Sequence, residues 1–378
     1  MNRFFATCAR GLEPVLAGEL GRLGAADIVP GRGGVGFAGD SALIYRANLW
    51  LRTAVRVLRP ILEAEVRSPD ELYDAVRTID WSHFLTPDHT LAVDCNVRDS
   101  AITHSQYAAR RVKDAICDQF REKVGRRPSV DVEYPGIGIN LHVHRDHAIL
   151  SLDSSWHSLH KRGYRPIQTR APLNEALAAG LLLHLGYDGS EPLYDLMCGG
   201  GTFAIEGAWI ALDRPPGLTR KWFGFFGWPD FDKGLWSAIR DDARRRVKAA
   251  PPFPIGGSDV RHDAIEFALG NARAAGVGGL LTFERKELTA VRPPAGPPGL
   301  LVCNPPYGER LDEEPDLDLL YGAIGETAAG RWPGWRVAVF TSNDALAKCV
   351  RLPRVRAAKF FNGSLECKLW EFRAGRTA

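Results

Sequence analysis

The 378-residue chain has no apolar run near the roughly 20 residues that a helix needs to cross a bilayer. Its first residues, MNRFFATCARGLEP, hold no long apolar stretch of the kind that marks a signal peptide. A cytoplasmic protein without a membrane span is expected. Cysteine is sparse, with seven residues at Cys8, Cys95, Cys117, Cys198, Cys303, Cys349 and Cys367. They are odd in number, scattered and without a C-x-x-C pair, so neither a disulfide framework nor a zinc knuckle follows, and no metal is expected. Net charge is only +3, too little to argue for a nucleic-acid partner by itself. No repeat or low-complexity tract stands out. With 45% hydrophobic and 25% charged residues, the chain has the apolar surface that a disordered protein lacks.

What is present begins with length, which exceeds one typical domain and predicts two or more. Residues 1–170 hold 23 Lys and Arg against 20 Asp and Glu, whereas the remainder holds 25 of each. Most of the cations are arginines, which grip phosphate bidentately, so the slight excess tilts any polyanion contact toward the front of the chain. The first 60 residues read as a small α+β unit: strand 3–8, helix 13–23 with Pro14 near its start, a glycine-rich hairpin at 31–36 and helix 42–51. Residues 61–155 read as a second α/β stretch, with helices at 70–79 and 105–124 and strands at 91–97, 136–144 and 148–152. The polar segment 154–170 reads as a connection. Beyond it come helix 173–185, strand 192–196, a glycine turn, helix 203–212, strand 254–258, helix 264–275 and strands 281–283 and 300–303. Strands alternating with helices imply a parallel sheet covered on both faces. The fold class expected is α/β, with units at 1–60, 61–165 and 166–378.

Three strand ends carry chemistry. In LYDLMCGGGTF, residues 193–203, an apolar strand ends at Asp195 and a glycine turn leads into a helix. Such glycines let a ligand approach the backbone, although a tight strand–helix turn with no ligand would read the same. The loop lacks the G-x-G-x-x-G spacing of dinucleotide binders. Asp259 ends the next strand, where an acid can bind ribose hydroxyls or cap the following helix. Glu287 closes a third strand and can face an adenine amino group or simply solvent. The decisive element is CNPPYGERL, residues 303–311. Two prolines stiffen the loop and leave carbonyls free. The Asn304 amide oxygen and the Pro305 carbonyl can together hold both protons of an exocyclic amine, and Tyr307 can stack on its base. Aiming a delocalised amine lone pair at a methyl donor needs that arrangement.

In order, these motifs resemble those of class I S-adenosylmethionine-dependent amino-methyltransferases. FATCARGLEPVLAGEL, SLHKRGYR, APLNEALAAGLLLHLGY, ALDRPPGL, NPPYGERL and FNGSLECKLWEF extend the likeness over almost the whole chain. They are similar to the THUMP-domain RNA guanine-N2 methyltransferases, the bacterial 23S rRNA branch above all. The resemblance implies a ferredoxin-like region at 1–60, a THUMP-like RNA-binding domain with linker at 61–165, and a Rossmann-like methyltransferase domain at 166–378. It implies that Asp195, Met197, Gly199, Gly201 and Thr202 line the methionine end of S-adenosylmethionine. Asp259 and Val260 would reach its ribose side, and Glu287 with Leu288 its adenine. Asn304, Pro305, Pro306 and Tyr307 would be catalytic, Asn304 touching the cofactor as well. Ala171 and Pro172 match a segment that touches the methionine carboxylate. Leu196 replaces the family's usual proline, Gly200 replaces a serine, and Ser155-Trp156-His157 replaces a linker S-G-E. The substrate implied is ribosomal RNA first and transfer RNA second, with S-adenosylhomocysteine as product. N6-adenine methylation and an RNA-binding or ribosome-assembly protein with a vestigial cofactor site are the competitors.

Other features read more plainly. His142, His144 and His147 are expected to be structural or solvated, with Arg145 and Asp146 forming a hairpin turn. Arg110, Arg111, Lys113 and Arg121 on helix 105–124 can meet phosphates. The aromatic run at 220–228 is expected mainly to pack in the core, with base stacking as the other reading. Cys198 and Cys303 have no evident histidine partner, so no thiol nucleophile is expected.

Overall fold

The structure, a computed structural model, describes residues 1–165, 173–307 and 316–375. Ala171 and Pro172, and residues 308–311 of the proline loop, lie outside the described residues. The front of the chain runs β1 (Asn2–Cys8), α1 (Glu13–Arg22), β2 (Ala26–Gly31), β3 (Gly34–Gly39), α2 (Ser41–Trp50) and β4 (Ala54–Glu65). It continues through α3 (Pro69–Arg77), β5 (Thr90–Arg98), α4 (Ser105–Val124), β6 (Ser129–Val130), β7 (Ile137–His144) and β8 (His147–Asp153). Local chemistry starts the helices: the Asp40 carboxylate accepts from the Leu43 N–H at 2.7 Å, and the Ser68 hydroxyl from that of Glu71 at 3.1 Å.

All eight strands form one sheet in the order β2-β3-β1-β4-β8-β7-β5-β6. Its central member, β4, pairs antiparallel with β1 at one end and with β8 along the other. The division expected between residues 60 and 61 falls inside this strand. Pro60 hid it from sequence reading, because a proline removes a ladder donor and argues against a central strand. A register shift between Pro60 and Leu62 accommodates it. Arg145 and Asp146, both at positive φ, make the tight turn between β7 and β8. Most cations singled out on α4 already have partners. Arg111 pairs with Asp70 at 2.7 Å and lies over the Tyr73 ring, Lys113 pairs with Asp114, and Arg121 pairs with Asp118. Only Arg110 of the four is exposed without an ion pair among the described residues.

The C-terminal part holds α5 (Glu175–His184), β9 (Leu193–Asp195), α6 (Thr202–Ala211), α7 (Lys233–Arg246), β10 (Ile255–Asp259) and α8 (His262–Ala274). After them come β11 (Thr282–Arg285), β12 (Leu300–Cys303), α9 (Leu317–Arg331), β13 (Arg336–Thr341), α10 (Asp344–Cys349), β14 (Arg354–Asn362) and β15 (Leu365–Arg373). Strand order is β11-β10-β9-β12-β13-β15-β14, with β15 antiparallel to both its neighbours. Side chains alternate across this sheet as the strand period requires. Leu300 and Val302 face one core, which continues into the N-terminal sheet; Leu301 and Cys303 face another, with Tyr321, Trp332 and Trp335.

The aromatic run belongs mostly to the shared core. Phe223, Phe225 and Trp228 are buried, and Phe225 packs 4.7 Å from the Tyr45 ring of α2. A Cβ at Gly227 would strike the Gly136 carbonyl, and one at Gly224 that of Asp153, so glycine is required where this run meets the N-terminal sheet.

Buried charge completes the junction. Glu19 accepts from the Arg52 and Thr53 N–H groups at 2.8 and 3.1 Å. The Arg52 guanidinium donates to the carbonyls of Trp209 and Arg214, both at 3.0 Å. From the linker, Arg162 lies 3.5 Å from Glu206 of α6 and donates to the Leu159 and Arg52 carbonyls, while the Tyr164 hydroxyl donates to Glu206 at 3.1 Å. The Arg162 and Glu206 side chains are 1% and 0% exposed. Removing one partner strands the other charge away from water. Glu206→Ala is therefore expected to lower stability by about 3 kcal/mol, read as a shifted midpoint in chemical denaturation. Arg245→Ala, which breaks an exposed pair with Asp242, should shift it by under about 0.5 kcal/mol. Equal shifts would show that the buried pair does not hold the junction.

Candidate active site

Neighbouring β9 and β12 run parallel, with Asp195 opposite Val302, so the loop that begins at Asn304 leaves its strand beside the end of β9. On the other side Asp195 is opposite Gly257, which puts Asp259 two residues further along β10. The helix after β9 packs on the core shared with the N-terminal sheet, and the helix after β12 packs on the opposite core. Where chains diverge in this way, a crevice opens at the carboxyl ends of the strands, which is the ligand position in open α/β sheets.

The glycine loop is held from below and open above. Cys198 N–H donates to Ser258 O at 2.8 Å, and Asn271 Nδ2 donates to Gly200 O at 2.9 Å. Gly199 has φ +49° and nothing within 4 Å of where a Cβ would stand, whereas a Cβ at Gly201, φ +79°, would press on Phe283 and Ala268. One glycine thus faces empty space and the other buys close packing under the start of α6. Asp195 is 2% exposed, and its hydrogen bond is from Met197 N–H at 3.2 Å. Burial, with Asp259 adding repulsion, raises its pKa to about 8.

Asp259 Oδ2 accepts from Gly199 N–H at 3.0 Å and Oδ1 from Arg261 N–H at 3.0 Å. Arg261 itself occupies the N-cap of α8, so the capping role for Asp259 is not the one the structure uses. Its carboxylate instead ties the glycine loop to the end of β10. Val260 is 45% exposed beside it, and Lys286 N–H donates to Asp259 O at 3.1 Å, bringing residues 286–288 alongside. Leu288 and Met197 are half-buried against the same core, while Glu287 is exposed. The set offers an acid for a cationic group, an acid for hydroxyls, a glycine-lined approach and apolar flanks. A methionine–ribose–adenine ligand fits those donors in that order.

On the other wall, Asn304 and Tyr307 are partly exposed and Pro305 is buried. The Tyr307 hydroxyl donates to Asn304 Oδ1, and Tyr321 donates to Pro306 O at 3.1 Å and bonds Thr341 Oγ1 at 2.8 Å. Tyr307 thus fixes which way the Asn304 amide points, a role its sequence position did not reveal. Its bond uses one lone pair of Oδ1 and leaves the second. Burial raises the thiols of Cys198 and Cys303 well above their ordinary value, so both stay protonated.

Arg165 is the residue that sequence reading passed over. Its side chain, 10% exposed, lies 3.6 Å from Glu175 and donates to Leu173 O at 2.7 Å and to Thr202 Oγ1 at the first turn of α6. The R-G-Y-R string contained it, but only the fold brings it to the glycine loop. Among the described residues, no group of three or more His, Cys, Asp or Glu is placed to hold a metal ion, and no helix is long and apolar enough to cross a membrane.

Comparison with known proteins agrees with this geometry. Residues 162–371 match the family described as RMKL-like, methyltransferase domain; residues 66–153 match the THUMP domain, and residues 3–58 the RlmL ferredoxin-like domain. The chain is 47% identical, over 98% of its length, to ribosomal RNA large subunit methyltransferase K/L of Syntrophotalea carbinolica, of which it covers 53%. It is 41% identical to slr0064 of Synechocystis sp., a protein named as an RNA methyltransferase, covering 98% of this chain and 96% of that one. Among solved structures, SMU.472, described as a methyltransferase and solved with S-adenosylhomocysteine, superposes with a TM-score of 0.90 at 30% identity over 100% of this chain and 99% of that one. A Listeria monocytogenes protein described as an N6-adenine-specific DNA methylase gives 0.87 at 31% identity, over 99% of this chain and 96% of that one. The chain spans about half the length of the K/L relative. With its methyltransferase segment matched across more than half of its residues, the chain belongs to the RMKL-like methyltransferase family, built here behind a ferredoxin-like and a THUMP domain.

Proposed function

We propose that the chain transfers a methyl group from S-adenosylmethionine to the exocyclic N2 amine of a guanosine in RNA, large-subunit ribosomal RNA first and transfer RNA second. The observation that carries this reading is the side-by-side placement of Asp195 and Asn304 at the ends of β9 and β12. It is supported by the THUMP domain in the same chain and by the activity in the names of the K/L and Synechocystis relatives.

The cofactor would supply a methyl group on a sulfonium, already activated for attack. Asp195 would pair with its α-ammonium, Thr202 and Gly199 would line the methionine end, Asp259 would take the ribose hydroxyls, and Val260 and Leu288 would flank the adenine. Across the crevice, the free lone pair of Asn304 Oδ1 and the Pro305 carbonyl would accept the two amine protons. That points the nitrogen lone pair at the methyl carbon and spreads the positive charge that grows on nitrogen, a positional and electrostatic contribution. The C–N bond would form as the S–C bond breaks, and the methylated amine would then lose its proton to water, so no general base is asked of this chain. A base inside a helix cannot reach this crevice, so the target base is flipped out or unpaired.

Two measurements test this reading. Labelled S-adenosylmethionine is offered with bulk rRNA and bulk tRNA separately, followed by nucleoside analysis, with Asn304→Ala alongside. N2-methylguanosine is expected, with a rate about a hundredfold lower in the variant. N6-methyladenosine, the activity in the name of the Listeria structure, would replace the base and keep the chemistry. No label in either RNA would sink the catalytic reading in favour of an RNA-binding protein.

The second measurement uses the raised pKa of Asp195, about 8 without ligand. Below that value the acid is largely protonated and must ionise to pair with an ammonium, so cofactor binding releases a proton. Affinity for S-adenosylmethionine should therefore rise as pH increases from 6 toward 7.5, before the ligand's own α-amino group titrates near about 8. Calorimetry should show Asp195→Asn weakening binding about tenfold at pH 7.5 and flattening this rise. An equal pH slope in the variant would remove Asp195 from the ammonium.

A further inference from the structure

Four of the five aromatic side chains in residues 220–228 pack against the junction core. Trp222 is the exception. It is partly buried, and its ring meets Phe226 edge to face at 5.5 Å and 87° on one side and Tyr134 at 5.9 Å and 83° on the other. Tyr134, 49% exposed, meets His157 in the same way at 5.6 Å and 80°. The three rings come from three segments: the loop before β7 in the N-terminal sheet, the linker, and the catalytic insertion. Perpendicular contacts of this kind leave ring faces available for a further planar partner.

The charge around them is positive. Lys161 and Lys221 are exposed and form no ion pair among the described residues. Behind them the Arg220 guanidinium is held by the carbonyls of Ser155, His157 and Ser158 at 2.8–3.1 Å. Burial lowers the pKa of His157, and the nearby charges of Arg220, Lys161 and Arg56 add to it. Of the neighbouring acids, Asp131 is turned onto the N–H groups of Glu133 and Tyr134 at 2.9 Å, and Glu133 is exposed. Aromatic faces beside unpaired cations are the means by which proteins hold unpaired nucleotides.

We propose that Tyr134, His157 and Trp222, with Lys161 and Lys221, form a stacking site for an unpaired nucleotide of the RNA substrate, separate from the base that is methylated. The site rests on the RNA reading above. His157 lies eight residues before Arg165, at most about 28 Å of extended chain, and the Arg165 side chain bonds Thr202. The site's work is to anchor RNA that threads from the N-terminal sheet toward the crevice.

The test compares Tyr134→Leu/Trp222→Leu with Tyr134→Phe/Trp222→Phe in the full chain. Binding of a fluorescein-labelled oligouridylate of about fifteen nucleotides is followed by anisotropy, and methylation of protein-free large-subunit rRNA by label. The leucine pair should weaken binding about tenfold and raise KM for rRNA with little change in kcat. The phenylalanine pair should bind as the natural chain does, and S-adenosylmethionine affinity should be unchanged in both. Lys161→Gln/Lys221→Gln should flatten the salt dependence of log Kd by about 1.4. Undiminished binding by the leucine pair overturns the site and leaves the RNA reading standing. If the natural chain neither binds nor methylates RNA, that reading fails and takes the site with it. Should the leucine pair unfold, cross-linking of the natural chain to an oligouridylate containing 4-thiouridine decides. Adducts on peptides holding Tyr134 or Trp222 support the site, and adducts elsewhere overturn it.

Discussion

The crevice between β9 and β12 exists because the chain leaves those two strands toward opposite faces of the sheet. After β9 it turns through glycines into α6, whose Phe203, Ile205 and Trp209 pack on the core shared with the N-terminal sheet. After β12 it turns through prolines, and the next described helix, α9, buries Tyr321, Ile324 and Ala328 on the other core. Two kinds of stiffness meet there. Glycine supplies positive φ and bare backbone after β9, and proline supplies fixed φ and free carbonyls after β12. On the function proposed, exchanging the two loops would place Cβ atoms against the cofactor and lose the rigid acceptor pair.

Electrostatics follow from the same divergence. Asp195 and Asp259 end adjacent strands, and Asp195 is buried while Asp259 spends its oxygens on two backbone N–H groups. Burial drives Asp195 toward its neutral form. A cationic ligand relieves that situation and a neutral one does not. On the function proposed, the buried Asp195 favours a cationic group before any contact with an adenine or a base is made.

What could be read from sequence divides along chain distance. The glycine turn, the proline loop, the hairpin at Arg145 and Asp146 and most helices were legible, because each depends on residues within one or two turns of each other. Partners far apart in the chain were not. The continuity of β4 was hidden by Pro60, whose missing donor is absorbed at a register shift that depends on β8. The pairing of Arg111 with Asp70 was not legible, because it is made only by the packing of α3 on α4. The aromatic run could not be divided into core and surface from composition, since the division is made by Tyr45 on one side and Tyr134 on the other. For the cofactor and catalytic residues, the alignment of strand ends was readable as a motif order, but the Tyr307–Asn304 bond and the reach of Arg165 to Thr202 were not.

The linker determines how the N-terminal sheet can serve the crevice. Across the described part of the linker, residues 154–165, much of the backbone is committed to hydrogen bonds. Ser154 O accepts from Phe225 N–H, and Ser155, His157 and Ser158 carbonyls accept from Arg220. Trp156 O accepts from Arg56, Leu159 O from Arg162, and Arg162 O from the Thr219 hydroxyl at 2.7 Å. Residues 154–165, so bound, lack the freedom of a tether. The same segment carries Arg162 into Glu206 and Arg165 into Thr202, both on the helix that opens the cofactor site. On the function proposed, RNA held by the N-terminal sheet is presented at a fixed distance from the methyl donor. Target choice then rests on which nucleotide that distance brings to Asn304, since the proline loop by itself recognises an amine and not its position in an RNA.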